Sequence, residues 1–450
     1  MKETDRRILR ILIPVILENA LMMLSTMILT GYIGRLTVSE ISYYGLQNRI
    51  YGIYYMLFKG IAVGVLVLIG AAAGRGDRDE CHRLLKNSYA GVFPAAILLL
   101  TMVFFASRQI LGIMTSDPEL LDGAQNFLRQ TMWFYPLMAV VALNASAFQA
   151  NGNTRTPMII AAMGNFVNIS LGYVLIFGIG GIGGYGLRGA AMSQNISFVV
   201  MLTAGFFFLY GKRGLFEGKL LQFPDVHLPV IKEIYRVGIP ASLESSAWQI
   251  ATIFISRVIL LYGKDTYAAY QLGLQAEGFC DIMSAGFMTA ALSLSSNAIG
   301  ARDYEAHRVS YRRLVHFGLI ISVITMLYLA LMSRFTLNLL TDKEELVTIA
   351  LLYMRLMILS QIPQHLQKIC AGYIRTAGYT KSPMLISMTG LWIVRVPLSI
   401  LAGQILHLPV FWLWLIFDLD QWTRYTIALI MMKKYRILEY DDTLQSAYGS

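Results

Sequence analysis

Long apolar runs, most of them about 20 residues or more, alternate with short polar breaks along the whole chain. A run of about 20 apolar residues matches the thickness of a bilayer core, so each reads as a transmembrane helix. The pattern predicts spans near 11–34, 45–73, 88–107, 124–149, 158–180 and 187–210. A second set follows near 237–262, 267–299, 314–333, 345–374, 383–403 and 409–432. The predicted fold is an all-α polytopic membrane protein with twelve spans, six per half. The predicted domains are a six-helix lobe over 1–210, a cytoplasmic linker over 211–236, a second six-helix lobe over 237–433 and a polar, poorly ordered tail over 434–450. The linker holds Pro224 and Pro229, and Leu228 to Arg236 reads as an interfacial helix before span seven.

The polar breaks repeat. Asn151-Gly152-Asn153-Thr154-Arg155-Thr156-Pro157-Met158 is echoed, 226 residues on, by Ala377-Gly378-Tyr379-Thr380-Lys381-Ser382-Pro383-Met384. In each copy Gly permits a tight turn, Thr156 or Ser382 is placed to cap the next helix, and Pro suits a first turn. The same shift pairs Arg10 with Arg236, Pro14 with Pro240, Glu18 with Glu244, Gly74 with Gly300 and Asp77 with Asp303. Gly45-Leu46-Gln47 recurs as Gly273-Leu274-Gln275, and His82-Arg83 as His307-Arg308. Rare polar residues held in register over most of the chain mark a duplication. With an even number of spans per half, the two repeats are parallel.

Composition agrees, at 56% hydrophobic and 14% charged residues, against about 25% charged in soluble domains. The net charge of +10 does not point to nucleic acid, because the basic residues sit in short breaks between spans. One set of alternate segments holds 23 Lys and Arg and the opposite set 8, which places both termini in the cytoplasm of a multi-pass plasma-membrane protein. Lys2, Arg6, Arg7 and Arg10 before an apolar run resemble a signal peptide. Glu18 interrupts that run and the segment belongs to the repeat, so it reads as a retained span. Cys81, Cys280 and Cys370 are too far apart for a metal or disulfide framework.

Polar residues inside spans carry the functional information, because an ionisable group at the bilayer centre costs about 2.5–3.5 kcal/mol even on insertion scales. In span eight, Glu277, Asp281 and Ser284 share a face. Two carboxylates one turn apart repel, so at least one needs a proton, a sodium ion or a cationic partner, for which Arg257 and Lys368 are candidates. In span ten, Gln361, Gln364, His365 and Lys368 share a face and read as cavity lining, or, for Lys368, as a helix-pairing cation. Their first-half equivalents, Tyr135, Met138, Ala139 and Ala142, are mostly apolar, so this stripe belongs to the second half alone. Glu18 and Glu244 each follow a proline by four residues and read as a symmetric structural or gating pair, with a substrate role as the other reading. Asn165 and Asn168 are either interhelical hydrogen-bonding amides or cavity residues. Asp420 and Arg424 read as an internal ion pair.

Gly178-Ile179-Gly180-Gly181-Ile182-Gly183 fits G-x-G-x-x-G formally, but follows a membrane span rather than a strand and reads as a loop. No zinc-protease, nucleophile-elbow or phosphate-loop motif occurs. The ordered set of motifs resembles the multidrug and toxic compound extrusion (MATE) transporters over about residues 8–432. Its carriers are Pro14 with Gly31-Tyr32-Ile33-Gly34, the Gly74 to Asp77 turn, Gly152 to Pro157, Asn165-Phe166-Val167-Asn168, Gly186 to Ala191, Gly300 to Asp303, Arg375 to Pro383, and Asp420 with Arg424.

The resemblance implies two lobes around a central cavity, alternating access, and export of small organic cations against inward proton or sodium flow, with no cofactor. Members similar to the DinF branch carry an Asp where this chain has Thr26 and another where it has Gly172. Members similar to the NorM branch carry a Glu where it has Trp248, and an Asp near Gln364. The coupling candidates here are therefore Glu277 and Asp281, with Glu244 and Glu18 behind them. The cavity candidates are Gln361, Gln364, His365, Lys368, Asn165, Asn168, Arg257 and Trp248. The expected protein is a monomer without enzymatic activity. Its rivals are a lipid-linked oligosaccharide flippase, which would use in-span cations such as Arg355 and Arg395, and an integral-membrane enzyme acting on lipids.

Overall fold

The computed structural model describes residues 3–115, 117–179, 182–212, 214–220, 222 and 226–439. Lys2, Gly180, Gly181, Arg213, Pro224 and the tail beyond Glu439 lie outside the described residues. The first half carries α1 (Glu3–Ile33), α2 (Val38–Gly74), α3 (Arg78–Gly112), α4 (Pro118–Thr131), α5 (Tyr135–Ala150), α6 (Arg155–Phe177) and α7 (Leu187–Tyr210). The second carries α8 (Leu228–Leu260), α9 (Lys264–Gly300), α10 (Tyr304–Leu331), α11 (Ser333–Leu340), α12 (Glu344–Leu356), α13 (Gln361–Thr376), α14 (Lys381–Met388), α15 (Val396–Ile400) and α16 (Val410–Lys434).

One 3-10 turn, Met132–Phe134, joins α4 and α5 into a single span. Two π-helical stretches, Thr389–Arg395 and Leu401–Ile405, carry α14 and α15 on as another. Between α12 and α13 the axis bends by 54°. Nine helical segments among the described residues are long and apolar enough to cross a membrane, the bent pair makes a tenth, and α8 and α16 complete the twelve.

The repeated motifs are turn chemistry. Asp77 caps α3 by accepting from Glu80 N at 2.9 Å, and Asp303 caps α10 by accepting from Ala306 N at 2.8 Å. Gly152 and Gly378 sit at φ of 74° and 94°, where a Cβ would be strained. Three expectations change. Thr156 and Ser382 are not caps, because α6 and α14 begin earlier, after Thr154 and Thr380, with each proline tolerated within the first turn. Asn153 takes over in the first copy, its Oδ1 accepting from Thr156 N at 3.2 Å. Leu228 to Arg236 is the start of the continuous 33-residue α8 rather than a separate interfacial helix. In the glycine-rich stretch, Gly178–Ile179 pairs antiparallel with Ile182–Gly183 rather than lying free as a loop.

Two compact units emerge, Leu17–Ser242 and Met1–Ile16 with Leu243–Ser450. The division falls inside α1 and α8, each shortly after its proline. In the unit containing the C-terminus, Ile8, Ile11 and Leu12 pack with Phe287, Leu314 and Tyr373. In the other, α2 and the start of α8 approach through Gly60, Gly64 and Gly238. A Cβ on Gly60 would lie 2.4 Å from Ser242 N, and one on Gly64 2.7 Å from Ile234 O. Gly60 and Gly64 are four residues apart, the small-residue spacing that lets membrane helices touch backbone to backbone. Ser242 then reaches across to donate to Leu57 O. Gly64→Ala is expected to cost about 1–3 kcal/mol by overpacking, read as a lower unfolding temperature in detergent. Gly31→Ala, with nothing within 4 Å of its Cβ, is expected to leave that temperature unchanged.

Candidate functional site: a charge cluster in the second-half helices

α9 projects Glu277 and Asp281 one turn apart toward α12 and α13. The Tyr353 hydroxyl of α12 donates to Glu277 Oε2. Beyond the 54° bend, Gln361 opens α13. Its Nε2 donates to Met357 O at 3.0 Å, covering a carbonyl that the bend leaves without its helical partner, and to Gln364 Oε1 at 3.2 Å. Gln364 Nε2 then donates to Asp281 Oδ1 at 2.7 Å. Lys368, one turn further on, is within Coulombic reach of Asp281. The two stripes read from spans eight and ten therefore meet, joined by an amide chain running from the bend to a carboxylate.

α16 supplies the other half of the cluster. Asp420 is fully buried and accepts from Arg424 Nε at 2.6 Å, the expected pair. A second guanidinium closes on the same carboxylate, with Arg395 Nε 2.7 Å from Asp420 Oδ2. Arg395 ends the first π-helical stretch, and its guanidinium lies 4.4 Å from the centre of the Phe417 ring. Gly390, in the same stretch, makes room: a Cβ there would lie 2.2 Å from Asp420 Oδ1. Arg395 also acts at longer range on Glu277, Asp281 and Asp418. Asp418 is 4% exposed, and neither carboxylate oxygen has a hydrogen-bond partner among the described residues. The nearby Ser360 hydroxyl donates its one proton to Met357 O at 2.8 Å. Tyr270, Tyr353, Trp414 and Phe417 wall the cluster, with Tyr270 and Trp414 stacked at 5.5 Å.

The remaining candidates lie elsewhere. His365 is fully buried, its Nδ1 2.6 Å from Gln361 O and its ring edge-on to Phe287, so it packs between helices. Arg257 is exposed on α8 with no bond to either acid; Arg395 takes the role considered for it. Trp248 is 41% exposed. Asn165 and Asn168, half-buried on α6, each leave one amide atom without a partner, Nδ2 and Oδ1 respectively. Glu18 and Glu244 differ sharply. Glu244 is held by Arg375 at 2.7 Å and Ser387 at 2.8 Å, whereas Glu18 borders a cavity and leaves Oε2 unpartnered.

Asp418 and Tyr353 were not singled out as site residues by the sequence, and Arg395 only as one of the in-span cations of the flippase reading. Asp418 is two residues from Asp420 and so off its helical face, and only the π-helical turn brings Arg395 to both.

The model of the MatE family matches residues 14–174 and 240–401, one match per repeat. The chain belongs to the MatE family. It is 25% identical over 433 residues to a probable multidrug resistance protein NorM of Thermotoga maritima, covering 95% of this chain and 92% of the relative. Its fold matches an outward-facing multidrug resistance MATE transporter of the MOP superfamily, with a TM-score of 0.89, 17% identity and 98% of each chain covered. An equal TM-score, identity and coverage relate it to a MOP-superfamily transporter from Pyrococcus furiosus described as having a binding pocket of reverse polarity. These matches make the twelve-helix, two-repeat architecture that of this MatE protein.

Asp420→Asn leaves Arg395 and Arg424 buried without their acid. Breaking such a pair is expected to cost about 3–5 kcal/mol, seen as a fall in folded yield and unfolding temperature. Glu439→Gln, altering an exposed pair with Arg436, is expected to change neither.

Proposed function

We propose that this MatE protein is a secondary active transporter that exports amphipathic, cationic drugs or metabolites by alternating access, driven by inward flow of protons or sodium ions. It works as a monomer in the plasma membrane with both termini cytoplasmic, on small molecules, with no cofactor beyond the coupling ion and no covalent chemistry. The lobes at 1–210 and 237–433 are the alternating bodies, joined through 211–236. The multidrug description of the Thermotoga relative supports the substrate class.

A charge count carries the ion-coupled part of the reading. Glu277, Asp281, Asp418 and Asp420 face Lys368, Arg395 and Arg424 in one connected cluster. Acids outnumber bases by one, and a membrane interior does not hold an uncompensated carboxylate. The surplus acid takes a proton or a sodium ion. Asp420, clamped by two arginines, is fixed, which leaves Glu277, Asp281 and Asp418 as the exchangeable members. Asp281 is bonded to Gln364, which follows the bend, so a change of charge at Asp281 acts on the geometry of α13. An ion that binds the two conformations unequally is what drives a conformational change. Lys368, Trp248, Asn165 and Asn168 are the remaining contacts offered to substrate.

Efflux of a fluorescent cationic dye from proteoliposomes, under a sodium gradient and a pH gradient imposed separately, tests this. Movement is expected under one gradient and not the other, naming the ion. Glu277→Gln with Asp281→Asn is expected to lower gradient-driven efflux about tenfold or more at unchanged expression. Undiminished transport in that double variant removes the site from the mechanism.

A further inference from the structure

The repeat places the same acid twice and answers it only once. Glu244 is bound by the guanidinium of Arg375, whose side chain is 2% exposed, and by the Ser387 hydroxyl. At the repeat shift of 226, Glu18 stands for Glu244, Gln149 for Arg375 and Ala161 for Ser387. Both replaced positions flank the Asn151–Met158 motif, where the register is anchored. The first copy has therefore lost a guanidinium and a hydroxyl and kept the carboxylate.

What remains is a cavity within the unit Leu17–Ser242, lined by Glu18, Asn144, Ala161, Pro157, Met201 and Gly205 among others. It offers about 40 Å³ to the centres of water-sized groups, against roughly 10–15 Å³ needed for one water. That suits three or four heavy atoms, the size of a guanidinium. Glu18 makes none of the ion pairs found among the described residues. Lys59 is within Coulombic reach, but its ammonium lies over the Tyr55 ring at 5.3 Å.

The polar atoms around the cavity fit one kind of ligand. Asn144 is 2% exposed; its Oδ1 accepts from Tyr89 OH, while its Nδ2 has no partner. An unpartnered carboxylate oxygen beside a cavity of this size, where the other repeat seats a guanidinium, calls for a compact cation with N–H donors. A water can bridge the polar atoms, but a carboxylate charge is answered only by a proton or a cation.

We propose that this cavity binds a small cation of the guanidinium class, an external group taking the place that Arg375 fills in the other repeat. The site deepens the reading of a cation exporter by naming a headgroup chemistry, but its binding is measured without transport, so the two can fail separately.

The test is saturable binding of methylguanidinium, at millimolar concentration, to the purified full-length protein, followed by calorimetry and by the unfolding temperature. Wild type is expected to bind and to be stabilised. Glu18→Gln is expected to weaken binding about tenfold or more, the scale of a lost charge-assisted bond. Gln149→Arg with Ala161→Ser supplies the guanidinium from the chain itself, and is expected to abolish binding while raising the unfolding temperature without ligand. Tetramethylammonium, a cation without N–H donors, is expected not to bind. No saturable binding to wild type, equal binding to Glu18→Gln, or equal binding of tetramethylammonium overturns the proposal; the first of these marks the cavity as a water site only. Ala161→Leu, which fills the cavity and keeps Glu18, serves if Glu18→Gln does not fold.

Discussion

The bilayer interior supplies neither water nor counter-ions, so a charge placed there must be answered by the protein itself. Arg395 is where that constraint is met. It closes on Asp420, stacks on Phe417 and acts on Glu277, Asp281 and Asp418. Helices α9, α12, α13 and α16 are drawn around it, and the π-helical stretch that presents it is the local distortion this arrangement requires. π-helical segments of this kind occur often at functional sites.

The duplication explains which features stay symmetric. Turns have few chemical solutions: a left-handed position wants glycine, and a helix N-terminus wants Asp, Asn, Ser or Thr. Gly152 and Gly378, and Asp77 and Asp303, are held to their types by backbone geometry. Polar positions inside the spans answer only to their neighbours and diverge once one neighbour changes. Glu244 with Arg375 and Ser387, against Glu18 with Gln149 and Ala161, are two outcomes of that freedom.

The span count, the repeat and the meeting of Glu277 and Asp281 with Gln364 and Lys368 were legible because each rests on helical periodicity, which a bilayer enforces. The bend between α12 and α13 was not, since no proline lies within Met357–Ser360 and Pro363 follows it inside the new helix. Asp418 was missed because it shares no helical face with Asp420, and Arg395 because a π-helical turn shifts its direction from the 3.6-residue pattern. His365 shares a stripe with Gln364 by count, yet its ring is taken up by a backbone carbonyl and Phe287. Equal spacing did not carry equal environment for Glu18 and Glu244 either, because the partners that separate them lie more than 100 residues away in the chain.

The Asp420 clamp also bears on how the chain enters the membrane. α16 carries Asp418, Asp420 and Arg424, each about 2.5–3.5 kcal/mol against insertion at a helix centre. Arg395 belongs to the span made just before it. A helical hairpin that enters with Arg395 and Asp420 already joined pairs both of these charges, whereas entry helix by helix leaves Asp420 with Arg424 alone and Arg395 without an acid. The salt bridge thus favours entry of these two neighbouring spans as a pair.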